Sequence, residues 1–215
     1  MVFNTITKEK EKTLGRVGTI GRFKPLHNGA FTLLKSLCER ADEVIIGIGS
    51  SNKYNLRNPF TQEETKEMID LALQDNFNNY SFVFIPDFGH IPQYKDGKYW
   101  RTVVVEKFGK LDYFVSANDY VKDLLKDHYN ILESYFVVPR EDRFRLRGAQ
   151  VRYAMATGEN LKNLVPKRVA EYLENNDLVK RFNKEFGLET LACVIDSDYT
   201  EDESAAEEKM HAREK

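Results

Sequence analysis

The residues best suited to chemistry lie in the segment GRFKPLHNGA, which brings Arg22, Lys24 and His27 close together in the chain. Arginine and lysine bind phosphate oxygens, and histidine can donate a hydrogen bond to them. The GxxxxGK[ST] pattern of a P-loop is absent, so the segment indicates another kind of phosphate site. The alternative is that Arg22 and Lys24 are solvated and that His27 only caps the turn.

Short runs of β-branched and aromatic residues predict strands that alternate with helical segments. The predicted strands span residues 14–20, 43–49, 81–86, 111–116 and 133–139. This alternation predicts an α/β fold, a Rossmann-like five-stranded parallel sheet with helices on both faces and further C-terminal helices. Such sheets bind ligands beyond the carboxyl ends of their strands, and GRFKPLHNGA follows the first strand.

Local signals predict where two helices begin. Asn28 is the predicted N-cap of the helix after the first strand, and Thr61 and Glu64 predict a capping box on the next helix. The first of these helices would offer unpaired N–H groups and a positive dipole end to a phosphate. Gly18 and Gly21 would let the backbone approach that ligand closely.

Composition and charge are those of a globular domain with an acidic end. The 215 residues are 41% hydrophobic and 31% charged, and the net charge is -2. We predict an N-terminal extension (1–13), one domain (14–187) and an acidic, disordered tail (188–215). No apolar run approaches the roughly 18 residues of a membrane span, and no signal peptide is visible. We therefore expect a cytoplasmic protein without membrane contact.

Several segments, in the same order, resemble one family. GRFKPLHNGA resembles the G-R-F-x-P-x-H-x-G-H signature of the nucleotidyltransferase superfamily, in particular its archaeal-type nicotinamide-nucleotide adenylyltransferases. IGSSNKYNLRNPFTQEE, HIPQYKDGKYW, FVSANDYVKDLL and RFRLRGAQVRYAMATGENLKNLVPKRVAEYL are similar to further segments of that family. The likeness covers roughly residues 15 to 182.

The resemblance implies that nicotinamide mononucleotide attacks the α-phosphate of ATP, which gives NAD and pyrophosphate. His27, Arg152 and Lys24 would be the catalytic residues. Mg²⁺ would arrive with ATP, held by the triphosphate and water, with no metal site of the protein's own. The other residues implied around the nucleotide and its phosphates are Gly18, Ile20, Gly21, Arg22, Phe23, Ala30, Arg147, Gly148 and Val151.

The acceptor side is implied by three further residues. Trp100, the single tryptophan, would stack on the nicotinamide ring, while Asn118 and Arg57 would contact the rest of the nicotinamide nucleotide. Each has an ordinary structural alternative. Trp100 could pack in the core, Asn118 could cap a helix, and Arg57 could be an exposed loop residue.

The departures from the signatures concern catalysis more than binding. Ala30 stands where the first signature has its second histidine, and Arg147 and Ala149 stand where the second signature has serine and threonine. These changes keep open a nucleotide-binding or regulatory protein that has lost most of its catalysis. A nucleotidyltransferase with another phosphate acceptor, such as flavin mononucleotide or phosphopantetheine, is a second alternative, because the first signature is shared widely across the superfamily.

The basic run from Arg140 to Arg152 raises the question of a nucleic-acid partner. The run is interpreted as lacking interleaved exposed aromatic residues, and residues 1–195 carry a net charge of only +3. We therefore do not expect nucleic-acid binding. The expected partners are small nucleotides and, from the resemblance, further copies of the chain in a homo-oligomer.

Overall fold

The computed structural model describes residues 14–196. Its strands are β1 (Leu14–Gly21), β2 (Ala41–Gly49), β3 (Tyr80–Ile85), β4 (Tyr113–Val115) and β5 (Ile131–Leu132). Its α-helices are α1 (Asn28–Arg40), α2 (Gln62–Leu73), α3 (Lys98–Phe108), α4 (Asp119–Leu125), α5 (Ser134–Val137), α6 (Gly148–Thr157), α7 (Lys167–Asn175), α8 (Leu178–Phe182) and α9 (Leu188–Asp196). Short 3₁₀ turns span Pro92–Tyr94, Arg140–Asp142 and Leu161–Asn163, and a π-helical turn spans Asn183–Gly187.

The five strands form one parallel sheet in the order β3-β2-β1-β4-β5. β1 is central, and the chain turns to opposite sides of it, first to β2 and later to β4. A ligand crevice forms where the strand order reverses in this way. The predicted α/β architecture is confirmed, and its crevice lies at the carboxyl end of β1.

Helices cover both faces of the sheet because successive residues of a strand point to opposite sides. On β2, Val44 and Ile46 join one apolar core that includes residues of α1, α2, α6, α7 and α8. Ile45, between them, joins a second core with residues of α3 and α4. A continuous apolar run is what a strand buried on both faces requires.

The fifth strand differs from the prediction. The pairing strand is Ile131–Leu132, while the predicted strand 133–139 contains the helical turn α5. The guanidinium of Arg40 donates to the carbonyls of Phe136 (2.8 Å) and Val137 (3.0 Å), which gives partners to the end of that turn. Arg143 donates to the carbonyls of Tyr135 (2.6 Å) and Val138 (3.1 Å), so side chains of two arginines bind carbonyls of this β-rich local sequence, which forms a helical turn.

The predicted start of the acidic tail at residue 188 is also wrong. Leu188–Asp196 is helical, and its Thr190 and Cys193 are buried. Cys193 packs beside Leu56, which lies between β2 and α2. The rest of the predicted tail and the predicted extension 1–13 lie outside the described residues.

The capping box of α2 is confirmed. The Glu64 amide donates to the Thr61 hydroxyl (3.1 Å), and the Thr61 amide donates to the Glu64 carboxylate (2.9 Å).

Between residues 14 and 196, no helix combines the length and the apolar character needed to cross a lipid bilayer.

Candidate active site

A cavity of about 330 Å³ opens at the carboxyl end of β1. Its walls come from the turn after β1, the first turn of α1 and the segment that enters α6. The lining residues are Gly21, Arg22, Phe23, Lys24, Pro25, His27, Ala30, Leu146, Arg147, Gly148 and Arg152. The two segments that resemble family signatures thus meet in one cavity.

Two glycines make the cavity's shape possible. A Cβ at Gly21 would lie 2.7 Å from the ring of Phe23, whose own backbone is left-handed (φ 54°). A Cβ at Gly29 would lie 3.2 Å from the carbonyl oxygen of Phe144 and 3.3 Å from that of Leu146. Gly29 therefore lets the segment before α6 pass over the start of α1.

His27, rather than the predicted Asn28, is the N-cap of α1. Its Nδ1 accepts a hydrogen bond from the amide of Ala30 (3.2 Å). Asn28 is the first helical residue and donates through its amide to the carbonyl of Leu164 (2.8 Å). The amides of residues 28 and 30 thus have partners within the chain, so the predicted supply of unpaired N–H groups at this helix end is smaller than expected.

The capping bond fixes the chemistry of the His27 ring. Burial, with a smaller contribution from the charge of Arg152, lowers the pKa of His27 to about 4. The ring is therefore neutral at pH 7. Because Nδ1 accepts from Ala30, the single ring proton of the neutral form lies on Nε2. His27 is a cap and also a neutral N–H donor in the lining of the cavity.

Arg152 lies on α6 and is almost completely buried, with 3% of its surface exposed. Its Nη1 donates to the carbonyl oxygen of Lys24 (3.2 Å), which joins α6 to the turn after β1. Gly148 leaves room for this guanidinium, since a Cβ there would lie 3.2 Å from Nη1. At the start of α6, the Arg147 amide donates to the side-chain carbonyl of Gln150 (2.8 Å).

Lys24 lines the cavity. We predicted that its ammonium would face a phosphate, but the ammonium is hydrogen-bonded to backbone carbonyls. Nζ donates to the carbonyls of Ser50 (3.0 Å) and Lys53 (3.5 Å), in the loop after β2. Only 2% of the residue is exposed. Burial, reinforced by the charge of Arg22, lowers the pKa of Lys24 to about 8.

Three residues implied at the nucleotide do not line the cavity. Gly18 makes room for the side chains of Phe108 and Leu111, which would lie 2.8 and 2.5 Å from a Cβ. Ile20 packs against the core under α3, and Val151 belongs to the core on the opposite face. Gly18 and Ile20 lie within β1 and face the helices that cover the sheet, and Val151 lies on α6 with its side chain in the core, so all three positions serve packing.

The three acceptor-side residues also lie outside the cavity lining. Trp100 on α3 is partly buried against the core shared with α4. The exposed Asn118 caps α4, because its Oδ1 accepts from the amide of Val121 (3.1 Å). Arg57 is half-buried in the loop between β2 and α2. The ordinary alternatives describe the contacts of Trp100 and Asn118, and the nicotinamide roles of all three remain predictions.

Hydrogen bonds join the loops after β2 and β3, which we did not predict from the sequence. Asn52 Nδ2 donates to the carbonyl of Asp87 (3.0 Å), the Asp87 amide donates to Asn52 Oδ1 (2.7 Å), and Lys53 Nζ lies 2.9 Å from His90 Nδ1. The only signal was polar residues following two neighbouring strands. In parallel sheets such loops meet at one edge.

The basic run from Arg140 to Arg152 differs from its interpretation as a segment without exposed aromatic residues. Phe144 lies within the basic run and is 55% exposed. Tyr135 and Phe136 precede the run and are 49% and 62% exposed. The run therefore does contain an exposed aromatic residue. The expectation of no nucleic-acid partner now depends on the modest charge alone and remains a prediction.

Comparisons with known proteins show the family of the chain. A model of the cytidylyltransferase-like family matches residues 19–213. The nicotinamide-nucleotide adenylyltransferase of Thermococcus onnurineus is 33% identical over 164 residues, covering 75% of this chain and 83% of that protein. The enzyme of the same name from Pyrococcus horikoshii is 31% identical over 184 residues, covering 85% and 91%.

A solved structure shows the same fold at low identity. It is a bifunctional NMN adenylyltransferase/ADP ribose pyrophosphatase from Francisella tularensis in complex with AMP and a manganese ion, with a TM-score of 0.62 and 17% identity. The match covers 86% of this chain and only 57% of that one. The likeness therefore concerns fold, over part of a longer protein.

Proposed function

The chain belongs to the cytidylyltransferase-like family and, within it, to the nicotinamide-nucleotide adenylyltransferases, and we propose on this basis that it transfers the adenylyl group of ATP to nicotinamide mononucleotide. The products are NAD and pyrophosphate. One observation carries the assignment to this cavity: His27, whose Nδ1 accepts from the Ala30 amide, shares the lining with Arg22, Arg147 and Arg152.

The reaction needs positioning and charge more than acid–base chemistry. A phosphate oxygen of the acceptor forms a bond to the α-phosphorus of ATP, and the bond from that phosphorus to the bridging oxygen breaks, so pyrophosphate leaves with the electron pair. The attacking phosphate is already ionised at pH 7, so no general base is required. The absence of a carboxylate from the described residues that line the cavity suits this requirement.

Each lining residue has a definite task in this proposal. His27 donates from Nε2 to the transferring phosphate. Arg152 binds the β- and γ-phosphates, because its planar guanidinium can hold two oxygens together. Arg147 and Arg22 add positive charge, and the positive end of α6 lies beside Gly148. Charge that develops on the leaving pyrophosphate is thus stabilised by groups already in place.

Magnesium enters the proposal as part of the substrate MgATP. Among residues 14–196, no group of three His, Cys, Asp or Glu is placed to hold a metal ion. A cavity lined by cations suits a triphosphate that brings its own metal and water. Mg²⁺ as the metal, a cytoplasmic location and a homo-oligomeric state are parts of the proposal that separate measurements must test.

The test measures NAD and pyrophosphate from MgATP and nicotinamide mononucleotide. The informative variant is His27→Asn, since asparagine can still cap α1 but removes the Nε2 donor. We expect a rate loss of roughly 100- to 1,000-fold with ATP binding largely retained. The matched control is His128→Asn, at an exposed histidine beyond α4, which should keep the parent rate.

Two outcomes would contradict the proposal. Formation of pyrophosphate only with flavin mononucleotide or phosphopantetheine would assign another acceptor. Binding of both nucleotides by the parent without turnover would favour the binding or regulatory alternative, which the alanine at position 30 keeps open.

A further inference from the structure

We call the turn between β1 and α1, residues 22–27, the phosphate turn. Lys24 is a residue of this turn whose side chain binds another loop. The backbone of the turn lies between β1 and α1, yet the ammonium reaches across to the loop after β2. Lysine has three donors on Nζ, and two of them face the carbonyls of Ser50 and Lys53. The loop after β2 is therefore bound to the turn by a buried cation.

The carbonyls that receive this cation belong to a constrained piece of backbone. Ser50 is in the left-handed region (φ 48°), which is uncommon for a residue with a side chain. Its carbonyl also accepts from the amide of Lys53 (3.1 Å). A cation that binds both ends of this short turn stabilises a conformation that the backbone adopts reluctantly.

The same loop is joined to the loop after β3. The Ser51 amide donates to the carbonyl of Ile85 (3.1 Å), and the Asn52 side chain exchanges two hydrogen bonds with the backbone of Asp87. On the other side of the turn, the carbonyl of Lys24 accepts from Arg152. Residue 24 thus connects α6 and the phosphate turn with the loops after β2 and β3.

We propose that Lys24 is a positioning residue, whose ammonium holds the loop after β2 against the phosphate turn so that the acceptor nucleotide is aligned with the α-phosphate. The inference depends on the proposed function for the identity of the acceptor. It assigns Lys24 an effect on acceptor alignment and gives the direct phosphate contacts to His27 and Arg152. Two hydrogen bonds restrict the loop after β2. In this proposal a restricted loop keeps the phosphate oxygen of the acceptor within bonding distance of the α-phosphorus.

Burial gives a further reason for this role. The pKa of Lys24 is lowered to about 8, so burying the charge is unfavourable in the absence of a binding partner. A cation retained in such a place needs well-placed acceptors, and the two carbonyls supply them. Replacing it by an apolar side chain of similar length should therefore leave the fold intact.

The test compares Lys24→Met, which keeps the length but has no donor, with Lys24→Gln, which has a neutral donor. We expect Lys24→Met to raise KM for nicotinamide mononucleotide roughly tenfold, as for one lost charged hydrogen bond, while KM for ATP stays within about threefold. Lys24→Gln should recover part of that loss. The matched control is Lys35→Met, at an exposed lysine on α1 that should change neither constant.

A second readout does not require catalysis. Amide hydrogen exchange at Ser51, Lys53, Asp87 and Gly89, whose N–H groups are hydrogen-bonded within the two loops, should accelerate in Lys24→Met and be partly restored in Lys24→Gln. If the parent makes no NAD, the proposed function fails, while this exchange comparison still tests the link between turn and loop.

Two results would overturn the inference. Equal losses of ATP affinity in Lys24→Met and Lys24→Gln, without a change in exchange, would assign Lys24 to direct phosphate binding. Parent-like exchange and parent-like constants in Lys24→Met would assign it to packing alone.

Discussion

At the scale of single residues, His27 joins structure and chemistry in one ring. Nδ1 caps α1 by accepting from Ala30, and this bond places the proton on Nε2. Burial keeps the ring neutral at pH 7 by lowering its pKa to about 4. A charged imidazolium would lose the cap, because both of its nitrogens are donors. The low pKa and the capping bond therefore support each other.

Ala30 is the residue whose replacement tests the altered signature. It lines the same cavity as His27 and lies in the first turn of α1. Ala30→His should raise the rate of NAD formation, by at most roughly 100- to 1,000-fold, because a donor aimed at developing charge acts mainly in the transition state. ATP affinity should change little. Steady-state rates with both nucleotides check the prediction.

The double variant Ala30→His with Arg147→Ser examines whether Arg147 already supplies that charge. Groups that share one phosphate should give non-additive effects. If neither variant is faster than the parent while both still bind ATP and nicotinamide mononucleotide, the missing histidine is not what limits this chain.

At the scale of elements, α8 secures the loop that carries Arg57. Arg181 donates from its two terminal nitrogens to the carboxylate of Glu64 (2.6 and 2.8 Å), at the start of α2, and to the carbonyl of Pro59 (3.2 Å). Its guanidinium also lies 5.7 Å from the ring centroid of Tyr54. Burial opposes ionisation of Glu64, but the bonds from Arg181 and Thr61 outweigh it and lower the pKa of Glu64.

Removing this guanidinium should destabilise the protein measurably. We expect Arg181→Met to lower the free energy of unfolding by about 1 to 3 kcal/mol at pH 7, because the Glu64 carboxylate loses a paired partner. The pKa of Glu64 is depressed in the folded state, so its contribution is present above the ordinary pKa of 4.5 and is lost as pH falls through the lower folded value. The difference between variant and parent should therefore narrow in acid.

Urea unfolding from pH 3 to pH 7 measures both effects. Lys180→Met is the matched control, because this neighbouring cation is 83% exposed in its pair with Asp177. It should change stability by no more than about 0.5 kcal/mol. A gap between Arg181→Met and the parent that stayed constant with pH would show that packing, and not the ion pair, is what was lost.

At the scale of the whole molecule, helix α9 packs against two segments that lead to the cavity. Cys193 on α9 packs with Leu56 from the loop after β2 and lies next to Ala149 at the start of α6. Both of those segments lead to the cavity. Because of these contacts, α9 is part of the folded domain, although we predicted that the acidic tail begins at residue 188.

Truncation tests the extent of the domain. A chain that ends at Gly187 should be less stable than one that ends at Asp196, by about 2 kcal/mol or more, because the burial of Thr190 and Cys193 is lost. Unfolding of the two purified chains by urea gives the comparison. Leu188→Ser in the longer chain is the control, since this residue is 85% exposed and should be neutral. Equal stability of the two chains would restore the predicted boundary at 187.

Features that repeat locally along the chain could be predicted from the sequence. Alternating apolar runs and helical segments predicted the parallel sheet, and the position of GRFKPLHNGA after the first run predicted that this segment lies at the carboxyl edge, where the cavity opens. The binding of phosphate there remains a prediction. Thr61 and Glu64 predicted their own capping box. Apolar runs, helical periodicity and caps depend on neighbours within a few residues, so a single sequence suffices to predict the elements, and their alternation is typical of a parallel sheet.

Features that depend on residues far apart in the chain were visible only in the folded structure. Arg40 binds carbonyls 96 and 97 residues away at the end of α5, and the Lys24 ammonium binds the carbonyls of Ser50 and Lys53. Gly18 faces Phe108 because α3 packs on that face of the sheet. The direction of a side chain is set by which partners the fold brings within about 3 Å, and no local pattern contains that information.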